Sequence, residues 1–493
     1  MPFATLLPLL AASFVYGLAL PAERPLHQAL LDSSSHSFGH GSGFPVFQQD
    51  DDTCKTNTTH FTGKVQVSAG KSLFFWFVES VDDAQNKPTV VWLNGGPGAS
   101  SMVGLFEEIG PCEFLNANKT IENPHTWANF ANLLFLDQPA GVGFSTVVAG
   151  ETSPVTLGEA SVDFAAFLHS FVSQFPEYFT GGLYIAGESF GGRYTPRFTA
   201  DILRKQIARA ADALPVRIMG IALFNALVDG MYTTLGHYEM FCTDQADLLR
   251  FNETVCTAMA AAIPEAERLQ RLCQATYDSY ICAAAQSYGQ VNLYKYFQEE
   301  VDALRRSPYD LRLSCDRPPI CIPSTEFSVE SYLSAPEIQS RLGIGAYLKY
   351  LSINFALNTQ WSAQPEISLP STSEVSYLLD EGKIAVLAVN GNYDVSITST
   401  GAWREYDELP WSGSMPYRLS PRRDWYFAEA KNGGELRKGG QTKAYGRLKL
   451  AGVDDAGHMS PGDQKEGVAS LARAWIAEVA GAAARESLIP VEV

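Results

Sequence analysis

The chain has 493 residues, 46% apolar and 18% charged, with 36 basic against 54 acidic residues and a formal charge of −18. That apolar content suffices for one large or two ordinary packed domains and argues against a disordered chain. Without a concentrated run of Lys and Arg to offset the acidity, nucleic acid is not expected as a partner.

The first 25 residues, MPFATLLPLLAASFVYGLALPAERP, are apolar up to Leu20 and then turn polar. With small residues at Ala19 and Ala22, residues 1–22 read as a cleavable signal peptide. Pro8 and Pro21 argue against a permanent anchor, and no later segment is apolar enough to span a bilayer. Residues 23–50, rich in Ser, Gly, His and Gln without periodicity, read as a pro-segment or flexible N-terminal arm. A secreted, vacuolar or lysosome-like destination follows. The sequons at Asn57, Asn118 and Asn252 and an even count of eight cysteines fit it. Metal binding by those cysteines is disfavoured, because no C-x-x-C pair occurs and no histidine stands near them at zinc spacing.

From Phe61 onward short apolar runs end in turn residues: SLFFWFVES, PTVVWLNGGPG and NLLFLDQPAGVGFS. The stretch SVDFAAFLHSFVSQFPEY has helical spacing and stops before Pro176. GLYIAGES and IMGIALFNALVDG are further strands, and an amphipathic helix is expected from about Pro196. Alternation of this kind implies a mostly parallel α/β sheet covered by helices. Residues 51–231 form its first part and 326–493 its second. Between them, residues 232–325 hold six of the eight cysteines and no clear buried strand, and read as a helical, disulfide-stapled cap. Strands resume at KIAVLAVNGNYD and YGRLKLAGVDDAGHMSP, and EGVASLARAWIAEVAGAAA is the last helix. The stretch SMPYRLSPRRDWYFAEAKNGGE reads as a surface connection with an edge hairpin.

The stretch LYIAGESFGGRY places Ser189 in a G-x-S-x-G frame between a strand and a helix. Such a nucleophile elbow leaves no room for side chains beside the serine backbone, which accounts for Gly187 and Gly191. The partners of an elbow serine follow in the order acid, then histidine. Only His237 and His458 come later. His237 falls in the cap, whereas His458 follows a strand, in DDAGHMSP. Asp394 follows the strongest apolar strand of the intervening region. Two glycines after the strand PTVVWL offer bare N–H groups, so Gly96, with Phe190 after the nucleophile, is expected to form the oxyanion hole. No phosphate loop or ligand cluster appears, and neither cofactor nor metal is expected.

Together, WLNGGPGASSMVGLFEEIGPC, LFLDQPAGVGFS, GESFGGRY, NGNYD and GHMSP resemble the serine carboxypeptidases, acid-active exopeptidases of the α/β-hydrolase fold. The resemblance runs from about Cys54 to the last helix. It implies Ser189, Asp394 and His458 as the triad and Gly96 and Phe190 as oxyanion donors. It also implies that Asn94, Gly95, Glu188 and Glu108 bind the free carboxylate of a peptide or protein C-terminus. Val103, Phe106, Glu107 and Met459 would line a mostly apolar pocket for the leaving residue. The cysteine spacing resembles family pairs Cys242–Cys256, Cys273–Cys282 and Cys315–Cys321, which leaves Cys54 for Cys112. The enzyme would act as a monomer or homodimer. An acyltransferase on the same fold, or a non-catalytic protective homologue, would carry the same fold signature, but the Glu188–Glu108 pair favours peptide C-termini. Four departures stand out: Ala99 where the family commonly has a bridging cysteine, Asn392 where an acid is frequent, Ile397 where a cysteine is frequent, and Arg193 where histidine is frequent.

Overall fold

The computed structural model describes residues 43–243, 248–315, 321, 329–345, 347–430 and 433–487. The expected signal peptide and most of the N-terminal arm lie outside the described residues. The strands are β1 (Val46–Gln48), β2 (His60–Ser68), β3 (Lys71–Val78), β4 (Thr89–Leu93), β5 (Cys112–Asn116), β6 (Lys119–Glu122) and β7 (Asn132–Leu136). They continue as β8 (Thr146–Val147), β9 (Leu183–Glu188), β10 (Ile218–Phe224), β11 (Ala385–Gly391), β12 (Arg423–Glu429), β13 (Glu435–Tyr445) and β14 (Leu448–Val453). Twelve of them make one sheet in the order β1-β2-β3-β7-β4-β9-β10-β11-β14-β13-β12, with β8 on β3, while β5 and β6 pair separately. The run β7-β4-β9-β10-β11-β14 is parallel throughout, and the flanking pairs are antiparallel.

All residues of β4, β7, β9 and β11 are buried, as continuous apolar strands of a parallel sheet covered on both faces require. On one face pack the helices α1 (Leu157–Gln174) and α2 (Gly191–Ile207). A Thr156–Glu159 capping box starts α1, and its buried Phe164, Phe167, Leu168 and Phe171 recur at helical spacing. Burying each such side chain stabilises the fold by roughly 2 kcal/mol. On the other face lie Trp475 and Ile476 of the helix Lys465–Ser487, together with the segment from Val329 to Tyr350. The last strands end in the β12–β13 hairpin, where β12 begins on exposed Arg423 and Asp424, a charged sheet edge of the kind that blunts edge-to-edge pairing.

Two features depart from the sequence expectation. Residues Val46–Gln48, inside the expected flexible arm, are an antiparallel edge strand on β2. The nucleophile helix begins at Gly191, with Pro196 inside it rather than at its start. After β10 come α3 (Gly230–Cys242), α4 (Glu253–Thr276), α5 (Ser279–Gly289) and α6 (Lys295–Leu304), and among the described residues the main sheet resumes at β11, within the stretch KIAVLAVNGNYD. The first three of these helices close a core of their own around Met231, Leu235, Phe241, Met259 and Ala285. Disulfides join Cys242–Cys256 and Cys273–Cys282 within it, and Cys54–Cys112 and Cys315–Cys321 elsewhere. Ala99 forms an isolated antiparallel bridge with Ile353, and Ser100 N donates to Ser352 O at 2.9 Å. Backbone pairing therefore tethers this loop where the family commonly uses a disulfide.

Candidate active site

Five parallel strands end side by side, and each delivers one polar residue to the same edge of the sheet. Asn94 follows β4, Ser189 follows β9, Asn225 follows β10, Asp394 lies three residues past β11, and His458 lies five residues past β14. That edge, outside the carboxyl ends of the strands, is where open α/β sheets bind ligands.

Ser189 adopts φ +58°, a left-handed conformation that a non-glycine residue accepts only in a constrained turn. Hydrogen bonds hold it there: its N–H donates to Phe224 O (3.1 Å), and its carbonyl accepts from Leu227 N (2.7 Å) and Gly192 N (2.9 Å). The tightness explains the flanking glycine, since a Cβ on Gly187 would lie 2.3 Å from Thr195 Oγ1. Gly95 approaches the elbow as closely: a Cβ there would sit 2.3 Å from Phe190 N and 2.9 Å from Ser189 Cβ. The expected oxyanion loop and the N–H after the serine are thus in contact.

Asp394 is fully buried, and His458 Nδ1 donates to its Oδ2 at 2.7 Å. The N–H groups of Ser396 (2.8 Å) and Ile397 (3.0 Å) donate to Asp394 Oδ1. Burial penalises the imidazolium of His458, but the Asp394 carboxylate outweighs it, and the ring is held above the usual histidine range. His237 is buried in the cap, where its Nε2 meets the carbonyl of Val395 (2.8 Å) and burial pushes it down to about 4. It is part of the cap core.

Asn94, Glu108 and Glu188 form a buried cluster beside the elbow. Asn94 Oδ1 accepts from Trp92 Nε1 (2.8 Å) and Gly104 N (3.0 Å), which fixes the amide. Its Nδ2 then donates to Glu108 Oε1 (3.2 Å) and Glu188 Oε1 (3.1 Å). The two Oε2 atoms are buried without a donor, and the carboxyls lie within hydrogen-bond reach of each other. Burial raises Glu188 to about 7 and holds Glu108 well above the carboxyl range, where Glu188 raises it further.

Glu108 arrives on a π-helical turn, Gly104–Glu108, closed by Ile109 N donating to Gly104 O at 2.9 Å. This turn corrects one expectation. Phe106 does not line the cleft: it is buried in the core against Trp76, Phe114 and Tyr332, with ring centroids 5.0–5.7 Å away. Val103, Glu107 and Met459 are partly exposed, and the Gly104–Glu108 turn packs on the turn after His458. Burial raises Glu107 to about 7, and Glu108 adds to that, so the surroundings are less apolar than expected.

Besides Asn225, two residues escaped the sequence reading. Tyr309 sets its ring, tilted by 57°, 5.2 Å from that of His458, its carbonyl accepts from His458 N (2.7 Å), and the charges of Asp394 and Glu188 act on its hydroxyl. Asp137, after β7, anchors the glycine-rich loop: Oδ1 accepts from Ser101 N (3.1 Å) and Ser100 Oγ, and Oδ2 from Phe144 N (2.9 Å).

The departures also find their places. Asn392 Nδ2 donates to Asp454 Oδ1 at 2.7 Å, so an acid there would confront Asp454 and require a proton. Ile397 supplies a backbone donor to Asp394. Arg193 is 1% exposed, and no hydrogen-bond acceptor among the described residues reaches its three guanidinium nitrogens. Burial lowers its pKa, opposed by the charges of Asp229, Tyr277, Glu405 and Glu374. It is the central cation of a buried acidic group at the junction of α2 and the cap. Arg193→Met is accordingly expected to destabilise the fold, because it removes the buried cation on which the charges of Asp229, Glu405 and Glu374 act, and chemical denaturation at about pH 7 beside the parent checks this: a variant as stable as the parent would contradict it.

Among the described residues, no cluster of three or more His, Cys, Asp or Glu side chains is arranged to hold a metal ion, and no helix is long and apolar enough to cross a membrane.

The sequence matches the serine carboxypeptidase family over residues 49–478. It is 33% identical over 424 residues to carboxypeptidase Y of Komagataella phaffii, covering 85% of this chain and 76% of the relative. Carboxypeptidase Y homolog A of Talaromyces marneffei is 31% identical over 407 residues, with 82% and 70% covered. Among solved structures, the prohormone-processing carboxypeptidase Kex1 of Saccharomyces cerevisiae superposes with a TM-score of 0.69 at 21% identity, covering 88% of this chain and 95% of Kex1, a likeness of fold. With its α/β-hydrolase sheet and a match across most of its length, the chain belongs to the serine carboxypeptidases, hydrolases that release residues from peptide C-termini.

Proposed function

We propose that Ser189, His458 and Asp394 carry out this hydrolysis and that Glu188, Glu108 and Asn94 restrict it to substrates with a free C-terminal carboxylate. Ser189 Oγ attacks the carbonyl carbon of the penultimate residue while His458 Nε2 takes its proton. Asp394 keeps the other ring nitrogen protonated and stabilises the imidazolium. The N–H groups of Gly96 and Phe190 receive the oxyanion, an interaction worth roughly 3 kcal/mol per donor in the transition state. His458 then protonates the leaving amine, the C–N bond breaks, and the C-terminal amino acid departs. Water, deprotonated by the same histidine, opens the acyl-enzyme.

The observation that carries the specificity is the buried Asn94–Glu108–Glu188 cluster next to the elbow. A carboxyl that keeps its proton donates a hydrogen bond to the substrate carboxylate, whereas an ionised one repels it. Gly95 N–H and Asn94 Nδ2 complete the recognition. Peptidase action therefore belongs to acid pH. Val103, Glu107, Met459 and Tyr309 border the leaving residue, and the helices from Gly230 to Leu304 cap the cleft. The exposed Asn57, Asn118 and Asn252 carry glycans acquired in the secretory pathway, on the way to an extracellular or vacuole-like compartment.

Digestion of an N-blocked dipeptide series, each member paired with its C-terminal amide, tests this at about pH 5. Free amino acids should be released from the acids far faster than ammonia or amino amides from the blocked partners, and Ser189→Ala should stop both. Release that survives Ser189→Ala refutes the triad. Equal rates on acids and amides refute the carboxylate site.

A further inference from the structure

We infer that Asn225 is a positioning residue of the catalytic machinery, its side-chain amide holding the Asp394 carboxylate and the His458 loop in register. The inference rests on the triad proposed above and adds a member that no motif marks.

Asn225 follows β10 directly, at the centre of the parallel run, and is fully buried. Its Nδ2 donates to Asp394 Oδ2 at 2.8 Å, the same oxygen that receives His458 Nδ1. The same Nδ2 donates to the carbonyl of Gly457 (3.2 Å), the residue before His458. Its Oδ1 accepts from Gly391 N (3.3 Å), so the amide cannot turn over without facing N–H to N–H. Its own N–H donates to Val389 O (2.7 Å) on β11. The residues beside it, Phe224 and Leu227, make the backbone bonds that pin Ser189. One amide thus ties the strand that carries the acid to the loop that carries the base, from a segment bonded to the nucleophile.

Residue type and conformation agree with this role. Asn225 sits at φ +42°, where asparagine is among the few tolerated side chains and glycine costs less. A position that only needed the turn would be served by glycine, which this chain uses freely at the elbow. The amide is what glycine lacks.

The electrostatic consequence has a sign. Asp394 Oδ2 divides its charge between two donors. Without Asn225 Nδ2, more of that charge falls on the imidazolium, and His458 holds its proton to higher pH. The other charged groups acting on His458 are Glu108 from the π-helical turn and Asp463 beyond the histidine, with the Tyr309 ring against its face. Among the described residues, Asn225 hydrogen-bonds none of these three.

The test compares Asn225→Gly and Asn225→Asp with the parent enzyme and Ser189→Ala, on an N-blocked amino-acid ester that lacks a free carboxylate. Asn225→Gly keeps the backbone conformation and removes the amide. The expected result is a kcat lower by about tenfold to a hundredfold with KM within about twofold, and an acid limb of kcat/KM moved upward by about half a pH unit or more. Asn225→Asp, which replaces the donor by an acceptor of the same shape, should move the limb further. Parent-like kcat and an unmoved acid limb in Asn225→Gly overturn the inference, because the residue then serves only the turn. If thermal denaturation shows that Asn225→Gly does not fold, the limb of Asn225→Asp decides alone, and an unmoved limb there overturns it too. Activity persisting in Ser189→Ala marks failure of the triad itself.

Discussion

Asp394→Asn is expected to lower kcat by about 10⁴-fold, and the structure says why an isosteric change costs so much. Every partner of the Asp394 carboxylate is a donor: Ser396 N and Ile397 N on Oδ1, His458 Nδ1 and Asn225 Nδ2 on Oδ2. An amide has one acceptor end and one donor end, so either orientation points N–H at N–H. With the NH₂ toward His458, the ring must shed its Nδ1 proton and carry one on Nε2, where it presents a donor to Ser189 instead of a lone pair. With the NH₂ toward Ser396 and Ile397, a half-buried and a buried backbone donor lose their acceptor, the buried one at about 1–3 kcal/mol of stability. Steady-state kinetics on a blocked dipeptide near pH 5.5, with thermal denaturation alongside, measure both. A variant within tenfold of the parent kcat would remove Asp394 from the triad.

Ser189, Asp394 and His458 were legible for a physical reason. Each follows a largely apolar strand, and a parallel sheet brings such strand ends together whatever lies between them in sequence. Asn225 has the same placement, after IMGIALF, but a neutral amide carries no chemical signature until its partners are seen. Tyr309 and Asp137 were illegible for other reasons. Tyr309 lies in an irregular stretch between the last cap helix and Cys315, without periodicity to fix its direction, and Asp137 looks like any turn aspartate after a strand. The misplacement of Phe106 comes from the backbone. A regular helical turn would not distinguish it from its neighbours, whereas the π-helical turn sends Phe106 into the core and leaves Glu107 and Glu108 toward the cleft. The edge strand Val46–Gln48 is three residues long, too short for an alternating pattern, and owes its form to the ladder that β2 offers. Ala99 could be read only as a missing cysteine, because its substitute is a backbone bridge to Ile353.

Glu188→Gln should separate peptide hydrolysis from its dependence on acid pH. In the parent enzyme, burial holds both carboxyls above the usual carboxyl range, Glu188 raises Glu108 further, and Glu188 loses its proton at about 7. Below that value the pair donates to the substrate carboxylate. Above it, kcat/KM on a peptide acid falls roughly tenfold per pH unit. The corresponding ester lacks the carboxylate and feels no such limb, so its rate is governed by His458 alone. The glutamine at 188 is neutral and a donor at every pH. Any alkaline limb that remains then belongs to Glu108, whose own proton is held by burial, and it cannot lie below that of the parent pair, because one of the two ionising groups is gone. The expected outcome is near-parent peptidase activity at about pH 5 and, at about pH 8, a peptide-to-ester rate ratio about tenfold above that of the parent. Parallel pH profiles for peptide and ester in the parent, or a ratio in Glu188→Gln at about pH 8 no higher than the parent's, would show that the glutamate pair does not gate the substrate carboxylate. The same profiles would then leave Asn94 Nδ2 and Gly95 N–H as its only recognition groups.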